Sequence, residues 1–197
     1  MTEQQPYDVV HSSDVFELRR YPQHVVAEVV VDGPFEDAGN RAFRYLFAYI
    51  SGENESSEKV AMTSPVVQTD SSSKIAMTSP VVQQQTDDGP GPGSEGSFLV
   101  GFVLPATLTI DSAPRPKNAR VHLRMIPEHL VAASRYRGRW TEHAYDSHLA
   151  ELRSALTTAR LVPTGEPRFA RFDPPFLPAF LRRNEVMLDV DRNEPAS

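Results

Sequence analysis

The side chains of this 197-residue chain that could do chemistry are its histidines, two pairs of neighbouring arginines and a group of aromatic residues. Cysteine is absent, which excludes disulfides, thiolate nucleophiles and cysteine-ligated metals. The sequence also has no GxSxG or HExxH motif and no glycine-rich phosphate loop. Glu28 and Glu185 are the acids that could act as an acid or base if either lies buried in a cleft. Because strand acids usually face solvent, the pattern favours a binding protein, with an enzyme as the alternative.

One of the six histidines lies on a half-apolar helical stripe. His148 shares this stripe with Leu152, Ala155 and Ala159. A histidine in that position can ligate a metal through an imidazole nitrogen. The alternative is a hydrogen-bonded residue at the boundary of the core. We therefore take His148 as the candidate metal ligand and keep both interpretations.

Two arginine pairs, at residues 19–20 and 182–183, could recognise carboxylates. A guanidinium group binds a carboxylate with two parallel hydrogen bonds, which suits an acidic ligand. We take Arg20 and Arg183 as the candidates for this contact. The alternative is internal ion pairing, in which one arginine of each pair meets Glu17 or Glu185.

The first predicted helix, residues 36–50, carries a wide apolar stripe. Ala38, Ala42, Leu46 and Ile50 recur at helical spacing, and two phenylalanines broaden the stripe. Phe43, Leu46 and Phe47 could form one wall of an apolar cleft. Met62, from the segment that follows, could complete this wall, because its side chain is soft and adaptable. Each of these residues could equally belong to the core.

The remaining elements predict an α+β domain. Strands are expected at residues 15–21, 24–31, 97–105, 120–126, 129–136, 170–172 and 184–190, with a second helix at about 141–159. At an offset of 105 residues, Pro22, His24 and Gly33 match Pro127, His129 and Gly138. This indicates a duplicated strand–helix–strand–strand unit, with two pseudo-symmetric halves around one core. We expect a twisted, barrel-like antiparallel sheet with two main helices on one side.

Length and charge set the remaining limits. The chain suits one domain, residues 1–197, with a mobile Gly/Pro-rich loop at 84–97 and a loose tail at 191–197. Its formal net charge of −6 argues against nucleic-acid binding. No apolar run approaches the length of a membrane span. No signal peptide is visible at the N-terminus, so a cytoplasmic location is the expectation. The oligomeric state is left open.

A second repeat is almost exact. Residues 59–68 recur at 74–83, with only Val60 replaced by Ile75. Two copies are too few for a solenoid, so we expect a hairpin with residues 69–73 as its turn. We assign the core role to the first copy and interpret the second as an insertion that lengthens the hairpin.

Several motifs together resemble the SOUL family of haem-binding proteins. They are FELRRYP, VVAEV, AFRYLFAYISGEN, KVAMTSPV, GFVLP, RFDPPF and LRRNEVMLDV, in the family's order, between about Tyr7 and Val190. The resemblance implies two pseudo-symmetric halves and a fold similar to bacterial effector-binding domains. Some animal members carry a proposed iron-binding histidine between the Arg and Tyr of the RRY motif. Arg20 stands at the matching position here, so this ligand is missing.

The resemblance also implies a ligand, haem or iron-free porphyrin, in an apolar cleft beside the first helix. Phe43, Leu46, Phe47 and Met62 would then contact the ring. Arg20 and Arg183 would pair with the propionates, and His148 is the optional iron ligand. The expected role is a tetrapyrrole carrier, buffer or scavenger. The alternatives are an enzyme that releases iron or opens the ring, and a module for a different small molecule.

Overall fold

The computed structural model describes residues 3–55, 72–86, 96–173 and 176–191. Within these ranges the chain forms thirteen strands, two α-helices and one short 3-10 turn. The strands are β1 (Glu3–Gln4), β2 (Asp8–Ser12), β3 (Glu17–Tyr21), β4 (His24–Gly33), β5 (Asn54–Glu55), β6 (Thr78–Ser79), β7 (Val81–Gln85), β8 (Gly96–Val103), β9 (Arg115–Pro116), β10 (His122–Ile126), β11 (His129–Arg137), β12 (Val162–Arg171) and β13 (Arg183–Asp191). The helices are α1 (Phe35–Ile50) and α2 (Glu142–Thr158), and the 3-10 turn is Ala179–Leu181. The α+β class and both predicted helices are confirmed.

Nine strands form one antiparallel sheet in the order β10-β4-β8-β7-β12-β13-β11-β3-β2. From its centre outward, one side reads β7-β8-β4-β10 and the other reads β12-β13-β11-β3. In the first half, β4, α1, β7 and β8 correspond to β11, α2, β12 and β13 in the second half. The first strand of each half, β3 or β10, pairs with the other half instead, because β3 pairs with β11 and β10 pairs with β4. The sheet is not closed within the described residues.

The strand-to-helix junctions show the same symmetry. β4 ends at Gly33 with φ of +131°, and its counterpart Gly138 has φ of +141° just before α2. Side chains with a Cβ rarely adopt this backbone conformation, so glycine lets each strand turn into its helix. Glu36 and Asp37 lie in the first turn of α1, where negative charge is favourable. At α2, the Thr141 side chain accepts a hydrogen bond from the Ala144 amide.

The main core lies between the two helices and one face of the sheet. Alternate residues of β4, such as Ala27 and Val29, pack against Ala42 and Leu46 of α1. Leu152 and Leu156 of α2 pack in the same way over the second half. Because neighbouring strand residues face opposite sides, His24, Val26 and Glu28 point away from the helices. The opposite face of the sheet is therefore free to form a site.

The structure corrects our prediction that the second copy of the fifteen-residue repeat is an insertion outside the core. This copy is not an insertion, because β7 lies in the centre of the sheet between β8 and β12. Thr78 and Gln83 of this copy are buried. The first copy, residues 59–68, and the first part of the predicted turn, residues 69–71, lie outside the described residues. The predicted loop is also shorter at both ends, since β7 reaches Gln85 and β8 begins at Gly96.

Candidate functional site

An aromatic pair lies on the exposed flank of α1. The rings of Phe43 and Phe47 stack with centroids 5.2 Å apart and an interplanar angle of 14°. They are 39% and 47% exposed, respectively. The edge of Phe102, from β8, supports the Phe43 ring from below at 5.7 Å. This pair gives the helix a flat apolar surface that is open to solvent.

The other two predicted members of this wall have different positions. Leu46 is fully buried under α1, where it holds the helix on the sheet. Met62 lies outside the described residues. The equivalent methionine of the second copy, Met77, is half-buried against the main core. The exposed part of the predicted wall is therefore the pair Phe43 and Phe47.

The two predicted arginines lie at opposite ends of β11. Arg20 pairs in register with Leu130 on β11, and Arg183 pairs with Arg137 at the other end of that strand. Seven residues of extended strand separate these two positions by about 23 Å. Arg20 is exposed and 3.8 Å from Glu128, whereas Arg183 bonds Glu185 at 2.8 Å. The two cations therefore cannot hold one ligand together.

The internal ion pair that the sequence left open is present. Arg19 forms two hydrogen bonds with Glu185, of 2.6 and 3.1 Å, and both side chains are almost completely buried. Burial alone opposes ionisation of Glu185. The hydrogen bonds and positive charges of Arg19 and Arg183 outweigh this effect and lower the pKa of the carboxyl group. Glu185 therefore stays ionised and serves the fold as an anion.

His148 has two partners of its own. Its ring stacks on Tyr136 of β11 at 4.1 Å, and its Nδ1 lies 3.1 Å from a carboxylate oxygen of Glu151. The ring contacts of Phe43 and Phe47 are with each other and with Phe102. Among the described residues, the structure shows no ring contact between His148 and this pair.

Two arginines that contact Tyr45, on the same helix as the aromatic pair, were missed by sequence reasoning. Arg44 follows Phe43, and its guanidinium lies 4.6 Å from the ring centroid of Tyr45. Arg120 approaches the same ring from another loop at 5.6 Å and bonds the Tyr45 hydroxyl at 3.3 Å. Neither arginine has a carboxylate partner among the described residues. Their sequence signal was weak, because single arginines on a helix or in a loop usually face solvent.

A separate groove occupies the sheet face opposite the helices. It encloses about 360 Å³, a size typical of small-molecule sites. Its apolar lining comprises Val26, Val82, Leu99, Val103, Ile126 and Met187. The sheet curls strongly around this groove. Four strands separate β4 from β11, or about 24 Å along a flat sheet, yet the rings of His24 and His129 are only 5.7 Å apart.

Charged groups in the groove are largely matched to one another. Glu28 receives three hydrogen bonds from Arg124, of 2.8 to 3.1 Å. On the other half, Arg168 forms an ion pair with Asp189. Both guanidinium groups are therefore engaged by carboxylates of the groove itself. Such a lining suits a mainly apolar ligand better than a dianion.

The two groove histidines are related by the pseudo-symmetry. Each Nδ1 lies 2.8 Å from the carbonyl oxygen of the proline two residues earlier, Pro22 or Pro127. A carbonyl can only accept, so each Nδ1 carries a proton. Burial and the nearby charges of His129, Arg168 and Arg124 lower the pKa of His24, against the opposing effect of the Pro22 carbonyl. The repeat at an offset of 105 residues matched these two histidines in the sequence. It gave no indication that their rings lie close together in the fold.

These features define a curled, internally duplicated α+β domain with one exposed aromatic flank and one groove. The family model for the SOUL heme-binding protein matches residues 2–73 and 68–189. The chain therefore belongs to the SOUL family. The two matches overlap at residues 68–73, at the junction between the two copies of the fifteen-residue repeat.

Named relatives agree with this assignment, and solved structures share the fold. The chain is 28% identical to heme-binding protein 1 of Xenopus tropicalis, over 87% of this chain and 81% of that protein. It is 28% identical to heme-binding protein 2 of Homo sapiens, over 96% and 84%. Its fold is similar to the EcmrR C-terminal domain, at TM-score 0.56 and 12% identity, over 94% and 98%. It also resembles a hydrolase from Listeria innocua, at TM-score 0.60 and 14% identity, over 88% and 91%.

No helix in the described part of the chain is long and apolar enough to cross a membrane.

Proposed function

We propose that this protein binds haem or iron-free porphyrin on the exposed flank of α1 and acts as a tetrapyrrole carrier or buffer. The observation that carries the proposal is the stacked, solvent-exposed pair Phe43 and Phe47. Family membership supports haem as the ligand. The two relatives named heme-binding proteins support the same ligand class.

The residues present fit a ring held mainly by apolar contact. Phe43 and Phe47 offer a flat face, and the ring of Phe102 keeps Phe43 in place. The Arg44 guanidinium is available to an acidic edge of the ligand, because no described carboxylate engages it. Neither α1 nor β8 contains a histidine. We therefore expect binding without strong axial ligation from these elements.

The test is a titration of purified protein with haemin, followed by its Soret band. Phe43→Ala combined with Phe47→Ala should weaken binding by at least about tenfold, since two aromatic contacts are lost. The matched control is Phe176→Ala with Phe180→Ala, which removes two exposed phenylalanines elsewhere. Equal affinities of the two double variants would refute this site.

A second titration separates ring contact from iron ligation. Protoporphyrin IX should bind with an affinity within about threefold of haemin, because the proposed site supplies no axial donor. A loss of a hundredfold or more on removing the iron would contradict this binding mode.

The groove supports a second candidate function, a module for a non-haem small molecule. Its volume of about 360 Å³ and apolar lining favour a compact ligand. Gly101 lines this groove, and a Cβ added there would meet no atom closer than 3.7 Å. The backbone therefore accepts a side chain at this position, and Gly101→Leu should occupy part of the groove. Native mass spectrometry should then show a co-purified ligand on the unmodified chain and none on the variant. Two unliganded spectra would rule this candidate out.

A further inference from the structure

The chain displays an apolar tip at residues 176–181. Phe176 is 86% exposed and Phe180 is 71% exposed, more than any other large hydrophobic residue described. Leu181 adds a third exposed apolar side chain. None of the six residues of this tip is charged. Contiguous exposed apolar groups of this kind mark surfaces that bind a partner or a membrane.

The tip is held in shape by polar contacts on its inner side. The Leu181 amide donates to the Pro178 carbonyl at 2.9 Å, which closes the 3-10 turn. The Arg182 guanidinium donates to the Leu177 carbonyl at 2.7 Å and also lies 4.6 Å from the Trp140 ring. The polar groups thus face inward and the phenylalanines face solvent. This inverts the usual arrangement of a surface loop.

Arginines lie on the chain segment beside the tip. The Gly138 amide donates to the Arg182 carbonyl, so the β11–α2 connection lies directly beside the turn. Its flanking residues, Arg137 and Arg139, are exposed and have no carboxylate partner among the described residues. Among the acids nearby, Glu185 is buried and paired with arginines, Asp173 accepts from the Arg183 amide, and Glu142 is exposed at the start of α2. On the connection and the turn, Arg137, Arg139 and Arg182 outnumber Asp173 and Glu142, so this end is locally basic although the chain carries a net charge of −6.

We infer that the 176–181 tip, with Arg137 and Arg139, docks onto an anionic lipid surface. Phenylalanines can enter the headgroup region while arginines meet lipid phosphates and carboxylates. The acidic remainder of the chain would be repelled by the same surface, so one orientation is favoured. A protein partner would not require the charge of the bilayer, which separates the two possibilities.

The experiment is flotation of the full chain with two kinds of vesicle: phosphatidylcholine alone, or phosphatidylcholine with about one third phosphatidylserine. We expect binding to the anionic vesicles that weakens at high salt. Trp140, the single tryptophan, contacts Arg182 at the tip and should report docking through a blue shift of its emission.

Two double variants test the named residues. Phe176→Ser with Phe180→Ser should weaken vesicle binding at least about tenfold. Arg137→Gln with Arg139→Gln should abolish the preference for anionic vesicles. The matched control, Ile110→Ser with Arg153→Gln, changes exposed residues elsewhere and should bind as the unmodified chain does. Circular dichroism verifies that all variants are folded.

The inference is overturned if the unmodified chain does not float, or if the tip variants float equally well. It is also overturned if the unmodified chain is a dimer that the phenylalanine variant makes monomeric, because the tip would then be a contact between copies. Haemin affinity should be the same in the tip variants and the unmodified chain. The docking test therefore stands independently of the proposed haem site.

Discussion

The imidazole rings of His24 and His129 lie 5.7 Å apart, and each bonds the carbonyl of the proline two residues before it. They occupy equivalent places in the two halves of the fold. Their contact joins β4 and β11, two strands that would lie about 24 Å apart if the sheet were flat. The two histidines therefore meet across the groove that the curled sheet forms.

Acidification should loosen this contact. The pKa of His24 is lowered in the folded protein, whereas in the unfolded chain it is near 6.5. The stability that neutral His24 contributes is complete above pH 6.5 and is lost as the pH falls from there through the folded-state pKa. Chemical denaturation at pH 7 and pH 5 should show a smaller pH dependence for His24→Gln than for the unmodified chain. An unchanged dependence would mean that other groups account for the loss.

Because one ion pair is buried and another is partly exposed, substituting the acid of each pair should change the free energy of unfolding by different amounts. Glu185→Gln should lower the free energy of unfolding by about 3–5 kcal/mol, because Arg19 stays buried without its counter-charge. Glu28→Gln is the control and should cost no more than about 1 kcal/mol, since Arg124 is half exposed. Urea unfolding at pH 7 measures both. Similar values would show that Arg19 finds another partner.

The buried ion pair should also lose stability on acidification, as the histidine contact does. The cause differs, because here the arginine partners favour the charged form of the group, whereas burial of His24 favours its neutral form. The pKa of Glu185 is lowered from its ordinary value of 4.5. Its contribution is therefore complete above pH 4.5 and is lost as the pH falls through the folded-state pKa. Glu185→Gln should flatten the acid limb of the stability profile below pH 4.5. A profile parallel to that of the unmodified chain would contradict the lowered pKa.

The near-exact repeat allows a matched pair of substitutions. Gln83 is buried, and its amide bonds the Phe35 carbonyl and Arg171, each at 3.0 Å. Gln83→Ala should therefore cost about 1–3 kcal/mol. Gln68→Ala changes the same residue of the first copy and should have little effect. The reverse result would show that the first copy supplies the central strand in solution.

His148 offers a test of iron ligation. His148→Ala should remove the stack on Tyr136 and lower stability by about 0.5–1.5 kcal/mol. Haemin affinity and the position of the Soret band should not change, because Phe43 and Phe47 lie over the other half of the sheet. A tenfold loss of haemin affinity would restore His148 as the ligand.

The sequence predicted most of the fold but only part of the candidate site. Helices and strands follow local periodicity, so α1, β4 and β8 were found close to their observed bounds. Arg20 and Arg183 were grouped by residue type, yet register places them at opposite ends of β11. The choice between the two repeat copies also failed, because identical strings carry no local signal. Only the pairing of Gln83 with its neighbours distinguishes them.

The exchanged strands have a consequence for how the molecule can be assembled. Residues 3–104 contain β3 but lack β11, which pairs with one edge of β3, and residues 105–191 contain β10 but lack its partner β4. Neither half can complete its own sheet. If the chain were cut in the connection between β8 and β9, each fragment would expose an edge that only the other fragment covers. Such a pair of fragments is suited to fragment complementation, in which recovery of the folded sheet indicates that the two fragments have associated.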